Sequence, residues 1–418
     1  MKAKTASLLC LLLLFATAAR AQHALWGVDA KFYGFVNNFF CYDSRRSLMV
    51  AEDLFNILPL DAKYDAAGHD ENADPSVKFL AITTRMGMDL TGPEVFGAQT
   101  TAKIETDFGG YSATGTLLRI RQAYTALTWE GDNRSYLLVG QTWHPLSGDL
   151  KPDVFSLATG SPFNPFNRSP MVRYDYTVGT STTLSAAAIY QFQYASVGMN
   201  GAPSYTYSRR GLWPELYLGI SLGGKKSPTA LGFDVSSIKI GNQRLTSYAA
   251  MLSTSQRIGR VDVKAKAVCG ENLSHLLLPS GFGTDAADGQ SLLPLTAAAA
   301  WTTVMYDVPT QSNSFRIGFM AGYLKNFGVR PWLKEDDRPT LVAGSVHIWG
   351  NHAGVGSNLG EVYRLSPMAT YRVKNMMLGL ELEHTAARYG DMLADGSVGN
   401  LHTVANNRVC ALMMYNFK

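Results

Sequence analysis

Hydrophobic and polar residues alternate one by one through much of this chain. In the segment 78–91, one parity carries apolar side chains and the other carries mostly polar ones: Ile82, Met86, Met88 and Leu90 against Thr83, Arg85, Gly87 and Asp89. Because successive side chains of a β-strand point to opposite faces, this segment has one apolar and one polar side. A soluble sandwich gives the same local pattern, so its repetition matters more than any single segment.

The alternation recurs along the chain, with ionised groups at every second position. Clear examples are Ala98–Phe108, Leu118–Thr125, Glu215–Leu222, Val261–Ala267 and Leu378–Glu383. In the second of these, the pattern predicts that Leu118, Ile120 and Tyr124 share the apolar face.

Sixteen segments have this character. They are 32–42, 78–91, 95–108, 117–129, 135–143, 170–177, 182–192, 214–222, 229–240, 246–257, 261–270, 295–306, 314–325, 361–373, 376–389 and 406–417. An even number of strands lets both ends of a closed barrel lie on the same side of the membrane. The first segment has an unclear parity, and 340–349 is open to interpretation as a further strand.

The lengths of the connections favour a membrane barrel over a soluble sandwich. Short turns are predicted at Gly92–Glu94, Gly131–Asn133, Ile258–Arg260 and Lys374–Asn375, and long connections at 43–77, 144–169, 193–213, 271–293 and 326–360. Outer-membrane barrels have short periplasmic turns and long extracellular loops. We therefore predict an all-β fold, a closed antiparallel transmembrane β-barrel of about 16 strands.

The last segment adds a second indication. Val409, Ala411, Met413, Tyr415 and Phe417 share one parity up to the penultimate position. A terminal strand that ends in an aromatic residue is similar to the signal read by the barrel-assembly machinery, although Lys418 departs from the usual ending.

The start of the chain predicts export. Lys2 and Lys4 precede an apolar run, Leu8–Ala19, and Ala19 and Ala21 form a small-x-small cleavage site. The domains are therefore a cleaved signal peptide, residues 1–21, and a single barrel domain, 22–418, in the outer membrane of a Gram-negative bacterium. Lipidation at Cys10 is disfavoured, because no apolar segment would precede it.

Composition excludes several function classes. The formal net charge of +4 falls to +1 once Lys2, Lys4 and Arg20 leave with the signal, and no basic cluster with interleaved aromatics points to nucleic acid. No later segment has 18 uninterrupted apolar residues, which argues against helical spans. Aromatic residues make up 11% and charged residues only 17%, which suits a surface that is apolar outside and polar inside.

Cysteine and histidine do not indicate a chemical site. Cys41, Cys269 and Cys410 are interpreted either as three unpaired small apolar residues or as one pair in extracellular loops plus a single thiol. The eight histidines show no HExxH motif or other paired ligand spacing, so no metal or cofactor is predicted. No Ser and His pair suggests an outer-membrane hydrolase, so the chain is not predicted to be an enzyme.

Four segments together resemble the DcaP-like porins of Gram-negative bacteria. They are KFYGFVNNFFCYD, TRMGMDLTGPEVFGAQTTAKIETDF at 84–108, LRIRQAYTAL at 118–127 and VGQTWHP at 139–145, within residues 31–175. The resemblance implies a trimer of 16-stranded barrels whose third outer loop folds into the lumen, passing small and often anionic solutes. Members of that family can carry a periplasmic helical extension, whereas here about nine residues separate the cleavage site from the first strand. A trimer would then depend on the barrel walls alone.

The third loop, His144 to Arg168, is the candidate constriction. It carries Asp149, Lys151 and Asp153, and the lumen-facing residues of neighbouring strands are predicted to oppose it: Arg85, Lys103, Glu105, Asp107, Arg119 and Arg121. Opposed rows of charge would create a transverse field across the pore. Our hypothesis is that Arg119 and Arg121 form a basic wall that weakly favours anions. The alternative is that they are salt-bridged and do not affect selectivity.

The function predicted from the sequence is a porin for passive diffusion of small polar solutes. The alternatives are a substrate-specific channel with a sugar or oligopeptide track, and a structural or adhesive surface barrel with a plugged lumen. The predicted partners are outer-membrane lipid, the barrel-assembly machinery and two further copies of the chain. The sequence does not indicate which solute passes.

Overall fold

The chain forms a closed antiparallel β-barrel of sixteen strands. The computed structural model describes residues 27–48, 56–112, 115–155, 159–224, 227–351 and 354–417. Each strand pairs with its sequence neighbour, and the first strand pairs with the last to close the barrel. The predicted signal peptide and Cys10 lie outside the described residues.

The strands have the following bounds. They are β1 Asp29–Asp43, β2 Ser76–Leu80 and Arg85–Val95, β3 Ala98–Ser112, β4 Gly115–Trp129, β5 Asn133–Trp143, β6 Arg168–Val178, β7 Thr182–Ile189, β8 Glu215–Leu222, β9 Thr229–Ile240, β10 Gln243–Ile258, β11 Val261–Glu271, β12 Thr296–Val308, β13 Ser314–Gly328, β14 Leu359–Val373, β15 Met376–Met392 and β16 Val398–Phe417. Each of the sixteen predicted segments falls on one of these strands, so the predicted fold class is confirmed.

The connections alternate in length only in part, because short connections, 241–242 and 393–397, also join strands at the end that carries the long loops. The five long connections, 44–75, 144–167, 190–214, 272–295 and 329–358, all lie at one end of the barrel, and short turns join the strands at the end where β1 begins and β16 finishes. Three of the four predicted short turns are confirmed to within a residue.

The turn predicted at Gly92–Glu94 is wrong. Residues 92 and 93 form a bulge inside β2, where the register shifts between Thr91 and Glu94. A proline has no N–H to donate, so a bulge accommodates it within a strand. The turn is at Phe96 and Gly97, whose φ angles of 54° and 70° are those of a two-residue hairpin.

A second bulge changes the face of one predicted residue. Glu105 pairs with Gln122 and Thr106 with Ile120, so Arg121 is an extra residue in β4. One inserted residue reverses the alternation that follows it. Tyr124, predicted on the apolar outer face, therefore packs inside the barrel, and Thr125 is exposed on the outer surface.

The two faces of the barrel wall differ as the alternation predicts. Large apolar side chains on the outer face are exposed, including Phe32, Phe79, Leu218, Phe233 and Tyr248. An apolar band of this extent is unsuited to water and matches the hydrocarbon layer around an outer-membrane barrel. Most ionised side chains of the strands lie on the inner face.

The described parts of the long connections fold over and into the barrel at one end. A small sheet of Gly281–Thr284, Leu292–Pro294 and His347–Ile348 forms within them, so 340–349 is not a barrel strand. Short helices lie at Pro145–Gly148 and Tyr205–Gly211, and 3-10 turns at Leu273–Leu276 and Glu335–Asp337. Among the described residues, no helix has the length and apolar character that a membrane span requires.

Candidate functional site

The inner faces of β2, β3 and β4 carry a ladder of paired charges, here called the charged wall. Its members are Arg85, Asp89, Lys103, Glu105, Asp107, Arg119 and Arg121. Arg121 donates from Nε to Glu105 at 2.9 Å and from Nη1 to Asp107 at 2.6 Å. Arg119 donates from Nε to Asp107, also at 2.6 Å. Two of the predicted site cations are therefore hydrogen-bonded to the two predicted site acids.

The remaining cations of the charged wall are less completely paired. The nearest contact of Arg85 with a carboxylate oxygen joins its Nε to Glu105 Oε1 at 3.9 Å, and its guanidinium lies over the Phe35 ring. Lys103 pairs with Asp89 and donates to the Tyr33 hydroxyl at 2.9 Å. The six predicted wall residues are thus brought together on one side of the lumen.

The third loop, residues 144–167, is here called the constriction loop, and its described parts, 144–155 and 159–167, lie inside the lumen as the resemblance implied. Lys266 of β11 is buried beneath it and donates to the backbone oxygens of Leu146, Ser147 and Leu150, at 3.0, 3.1 and 2.7 Å. A buried ammonium needs acceptors on all its donors, and this loop supplies them. The loop is therefore fixed to the wall formed by β11.

Further contacts hold the constriction loop along the same side of the barrel. Trp301 Nε1 donates to Asn164 Oδ1 at 3.1 Å, and the Phe155 backbone N–H donates to Glu381 at 2.7 Å. The ring of Phe163 packs beside Gly322, where an added Cβ would lie 2.5 Å from it. The loop thus lies against β12, β13 and β15.

The acids of the constriction loop do not oppose the charged wall. Asp149 pairs with Arg173 of β6 at 2.9 and 3.0 Å, and Asp153 pairs with Lys264 of β11 at 2.9 Å. Both loop acids are therefore paired with cations of β6 and β11, and neither is paired with a residue of the charged wall.

The loop residue that extends towards the charged wall is Lys151. Its Nζ lies 3.4 Å from the centroid of the Trp143 ring, and Arg121 and Arg168 also contact this ring. Burial lowers the pKa of Lys151 to about 6, and the charges of Arg121, Arg168 and Arg85 contribute to the shift. Three basic side chains therefore surround one indole beside the constriction.

Arg168 was not among the predicted site residues. Its Nε donates to Gln193 Oε1 at 2.8 Å, whereas Nη1 and Nη2 are buried with no hydrogen-bond partner among the described residues. Arg168 is the last residue of the predicted loop and the first residue of β6, and its contacts with Trp143 and with Phe166 of the constriction loop connect it to the constriction.

Three further buried groups meet at the base of the constriction loop. Nε2 of His144 and Nε2 of His275 lie 2.8 and 3.1 Å from Glu215 Oε1. The nitrogen and oxygen atoms of these three side chains that could bind a metal all lie within 4.8 Å of one another. The spacing of histidines in the sequence did not reveal this cluster, because its members come from the constriction loop, β8 and the connection 272–295.

The hydrogen bonds of His144 are those of a residue that links the constriction loop to Glu215, and they do not suit a metal ligand. Its Nδ1 accepts from the Leu146 N–H at 3.2 Å, so its proton lies on Nε2, which donates to Glu215. A histidine that binds a metal through Nε2 instead donates from its other nitrogen. Glu215 therefore ties the constriction loop and the connection 272–295 to the barrel.

The fold is similar to those of solved outer-membrane proteins. The outer membrane channel DcaP of Acinetobacter baumannii superposes with a TM-score of 0.68 and 20% identity, over 94% of this chain and 99% of that one. Salmonella typhi OmpF in complex with daunomycin gives 0.53 and 10%, over 94% and 99% of the two chains. In-vitro folded OmpT, an outer membrane protein of Vibrio cholerae, gives 0.51 and 11%, over 94% and 98%.

No protein-family model and no curated protein matches the chain. At these identities the likeness to solved structures concerns the fold, and at that level the resemblance to the DcaP-like porins is confirmed.

Proposed function

We propose that this chain is an outer-membrane porin that lets small polar solutes diffuse through its lumen. The observation that carries the proposal is the constriction loop, which is anchored to the β11–β15 side of the barrel by Lys266, Trp301 and Glu381. A loop held in this way narrows the lumen and directs its passage along the charged wall, where polar groups replace part of the hydration shell of a solute.

We also propose a weak preference for anions. Glu105 and Asp107 are neutralised by hydrogen-bonded arginines, whereas Arg168 has no carboxylate partner among the described residues. Arg85 is paired only loosely, through a 3.9 Å contact. The excess of positive charge beside Trp143 lowers the barrier for anions relative to cations, and the abundance of paired acids keeps that difference small.

The remaining parts of the proposal concern assembly and location. The exposed apolar band supports insertion into outer-membrane lipid, and β16, with Phe417 on its outer face, supports handling by the barrel-assembly machinery. The proposal also includes export through the signal peptide and assembly as a homotrimer. That the chain is not an enzyme stays a prediction.

Conductance in a planar lipid bilayer tests the proposal. Purified protein should insert in steps of three equal conductances, and a KCl gradient should give a small reversal potential of the sign that indicates chloride permeation. KCl suits this measurement because its ions have similar mobilities in water. A large reversal potential of the opposite sign would contradict the anion preference while leaving the porin intact.

A second candidate, a plugged surface barrel, is favoured by one observation. Apolar residues of the long connections form a buried cluster with inward-facing residues of the barrel wall. Those from the connections include Leu58, Phe163, Leu276, Phe282 and Trp349. Arg364 joins this cluster by donating to the backbone oxygens of Asn56 and Ile57. If this cluster seals the lumen, folded protein inserted into the bilayer will pass no current, and the porin proposal fails.

A further inference from the structure

Two cysteines face each other across the seam that closes the barrel. Cys41 of β1 and Cys410 of β16 are directly opposite in the strand register. Both are free thiols in the structure, and both side chains have an exposure of 0%. The sequence had suggested that any pair would lie in extracellular loops, and that interpretation is wrong for these two residues.

Both thiols lie on the inner face of the barrel. Their neighbours Tyr42 and Val409 are exposed on the outer face, so the alternation turns Cys41 and Cys410 inwards. Phe39 and Leu412 complete a small buried cluster with them, and Phe155 of the constriction loop packs against it. The two sulfur atoms therefore share one dry pocket.

The backbone already places the two cysteines within the range of a disulfide. Directly opposed residues of antiparallel strands have Cα atoms about 4.5 to 5.5 Å apart. Disulfides are found at Cα separations of about 4.4 to 6.8 Å. The adjacent opposed pair, Asp43 and Arg408, is joined by hydrogen bonds of 2.7 and 2.8 Å, which holds the register at the cysteines.

We propose that Cys41 and Cys410 form a disulfide that links the first and last strands. The inference rests on the export step of the proposed function, because disulfides form and persist in the oxidising cell envelope. It does not depend on conductance through the lumen.

The reaction is a thiol–disulfide exchange with a protein disulfide of an envelope oxidoreductase. One thiolate attacks the oxidant to form a mixed disulfide, and the second thiolate displaces the oxidant's sulfur. One S–S bond forms in the chain, one breaks in the oxidant, and two protons and two electrons pass from the cysteines to the oxidant's dithiol. Because both thiols are buried once the barrel is closed, the exchange takes place before or during closure.

Peptide mapping tests the inference on the unaltered protein. Outer membranes are denatured in SDS containing N-ethylmaleimide, which traps every free thiol, and the protein is digested with trypsin without reductant. The expected product is the peptide 32–45 linked to the peptide 409–418, with Cys269 alkylated on its own peptide. Alkylation of both Cys41 and Cys410 would overturn the inference and would leave the conductance result unaffected.

A second measurement tests the disulfide through its effect on the thermal stability of the barrel. On SDS gels, the temperature at which the folded band converts to the unfolded band should be lower for protein refolded in the presence of reductant than for the native protein. Cys269→Ser is the matched control and should behave in the same way. Cys41→Ser and Cys410→Ser should show the lower temperature with or without reductant, and a reductant effect that persists in these two variants would contradict the assignment.

Discussion

The ammonium of Lys266 donates a hydrogen bond to the backbone oxygen of Leu146 at a distance of 3.0 Å. The same ammonium also reaches the oxygens of Ser147 and Leu150, so one side chain holds a full turn of the constriction loop. The contact joins residues that are far apart in the sequence and is one of the anchors, with those at Trp301 and Glu381, that hold the constriction loop against the barrel wall.

We expect Lys266→Met to loosen the constriction loop. Methionine keeps the length of the side chain but leaves three carbonyl oxygens without their donor, at a cost to the anchored loop of about 2 kcal/mol or more. Single-channel recordings should show a larger and noisier conductance than the native protein.

Lys264→Met is the matched control for this substitution. Lys264 lies two residues away on the same face of β11 and makes a part-exposed ion pair with Asp153 at 2.9 Å. Such a pair contributes about 1 kcal/mol or less, so the control should change the conductance little. Equal behaviour of the two variants would show that the lysine contacts with the loop backbone do not set the pore width.

The barrel could be predicted from the sequence because its signals are local. Alternation of period two and the contrast between short and long connections depend only on neighbouring residues. Bulges are less visible: the extra residue at Arg121 reversed the face of Tyr124, and Gly92 with Pro93 imitated a turn.

The candidate site could be predicted only in part, because its contacts join distant strands. Alternation identified Arg119, Arg121, Glu105 and Asp107 as inward, but it could not show that each acid is neutralised by an arginine. The contact of Lys151 with Trp143 depends on the path of the constriction loop, which no local pattern encodes.

We expect the double substitution Arg119→Ser and Arg121→Ser to shift selectivity towards cations. It removes the arginines that neutralise Glu105 and Asp107, and the interaction of one unit charge with a permeating ion at close range contributes about 1 kcal/mol or more. The anion-to-cation permeability ratio from the reversal potential in a KCl gradient should fall about fivefold or more.

Arg316→Ser provides the control for this charge change. Arg316 faces the lumen near the short-turn end of the barrel, where it pairs with Asp262 and Asp307. Its removal should alter the reversal potential less than the double substitution does. An unchanged reversal potential in the double variant would support the alternative that the arginines serve only as salt-bridge partners.

Anion preference should increase as the pH falls from 7 to 5. Burial lowers the pKa of Lys151 to about 6, so this side chain is mainly neutral at pH 7 and gains a positive charge as the pH passes below 6. The charges near it are those of Arg85, Arg121, Arg168 and Glu105. Reversal potentials measured at several pH values should therefore move towards chloride on acidification.

Lys151→Met should remove this response over the same pH range, because methionine cannot gain a proton. The variant keeps the other titratable groups of the protein, so any pH dependence of its reversal potential measures their contribution. The same pH response in both proteins would assign the change to a different group.

Asp43→Asn should destabilise the folded barrel more than any comparable change at a part-exposed pair. Asp43 accepts from Arg408 at 2.7 and 2.8 Å at the seam, and both side chains are almost fully buried. Removing one partner of a buried pair leaves the other charge uncompensated, which costs about 3 to 5 kcal/mol.

Asp262→Asn is the control, since its partners Arg257 and Arg316 are partly exposed and such pairs contribute about 1 kcal/mol or less. The measurement is the temperature at which the folded band converts on SDS gels, with reductant present throughout so that only the ion pair differs. Equal temperatures for the two variants would show that the seam does not depend on this pair.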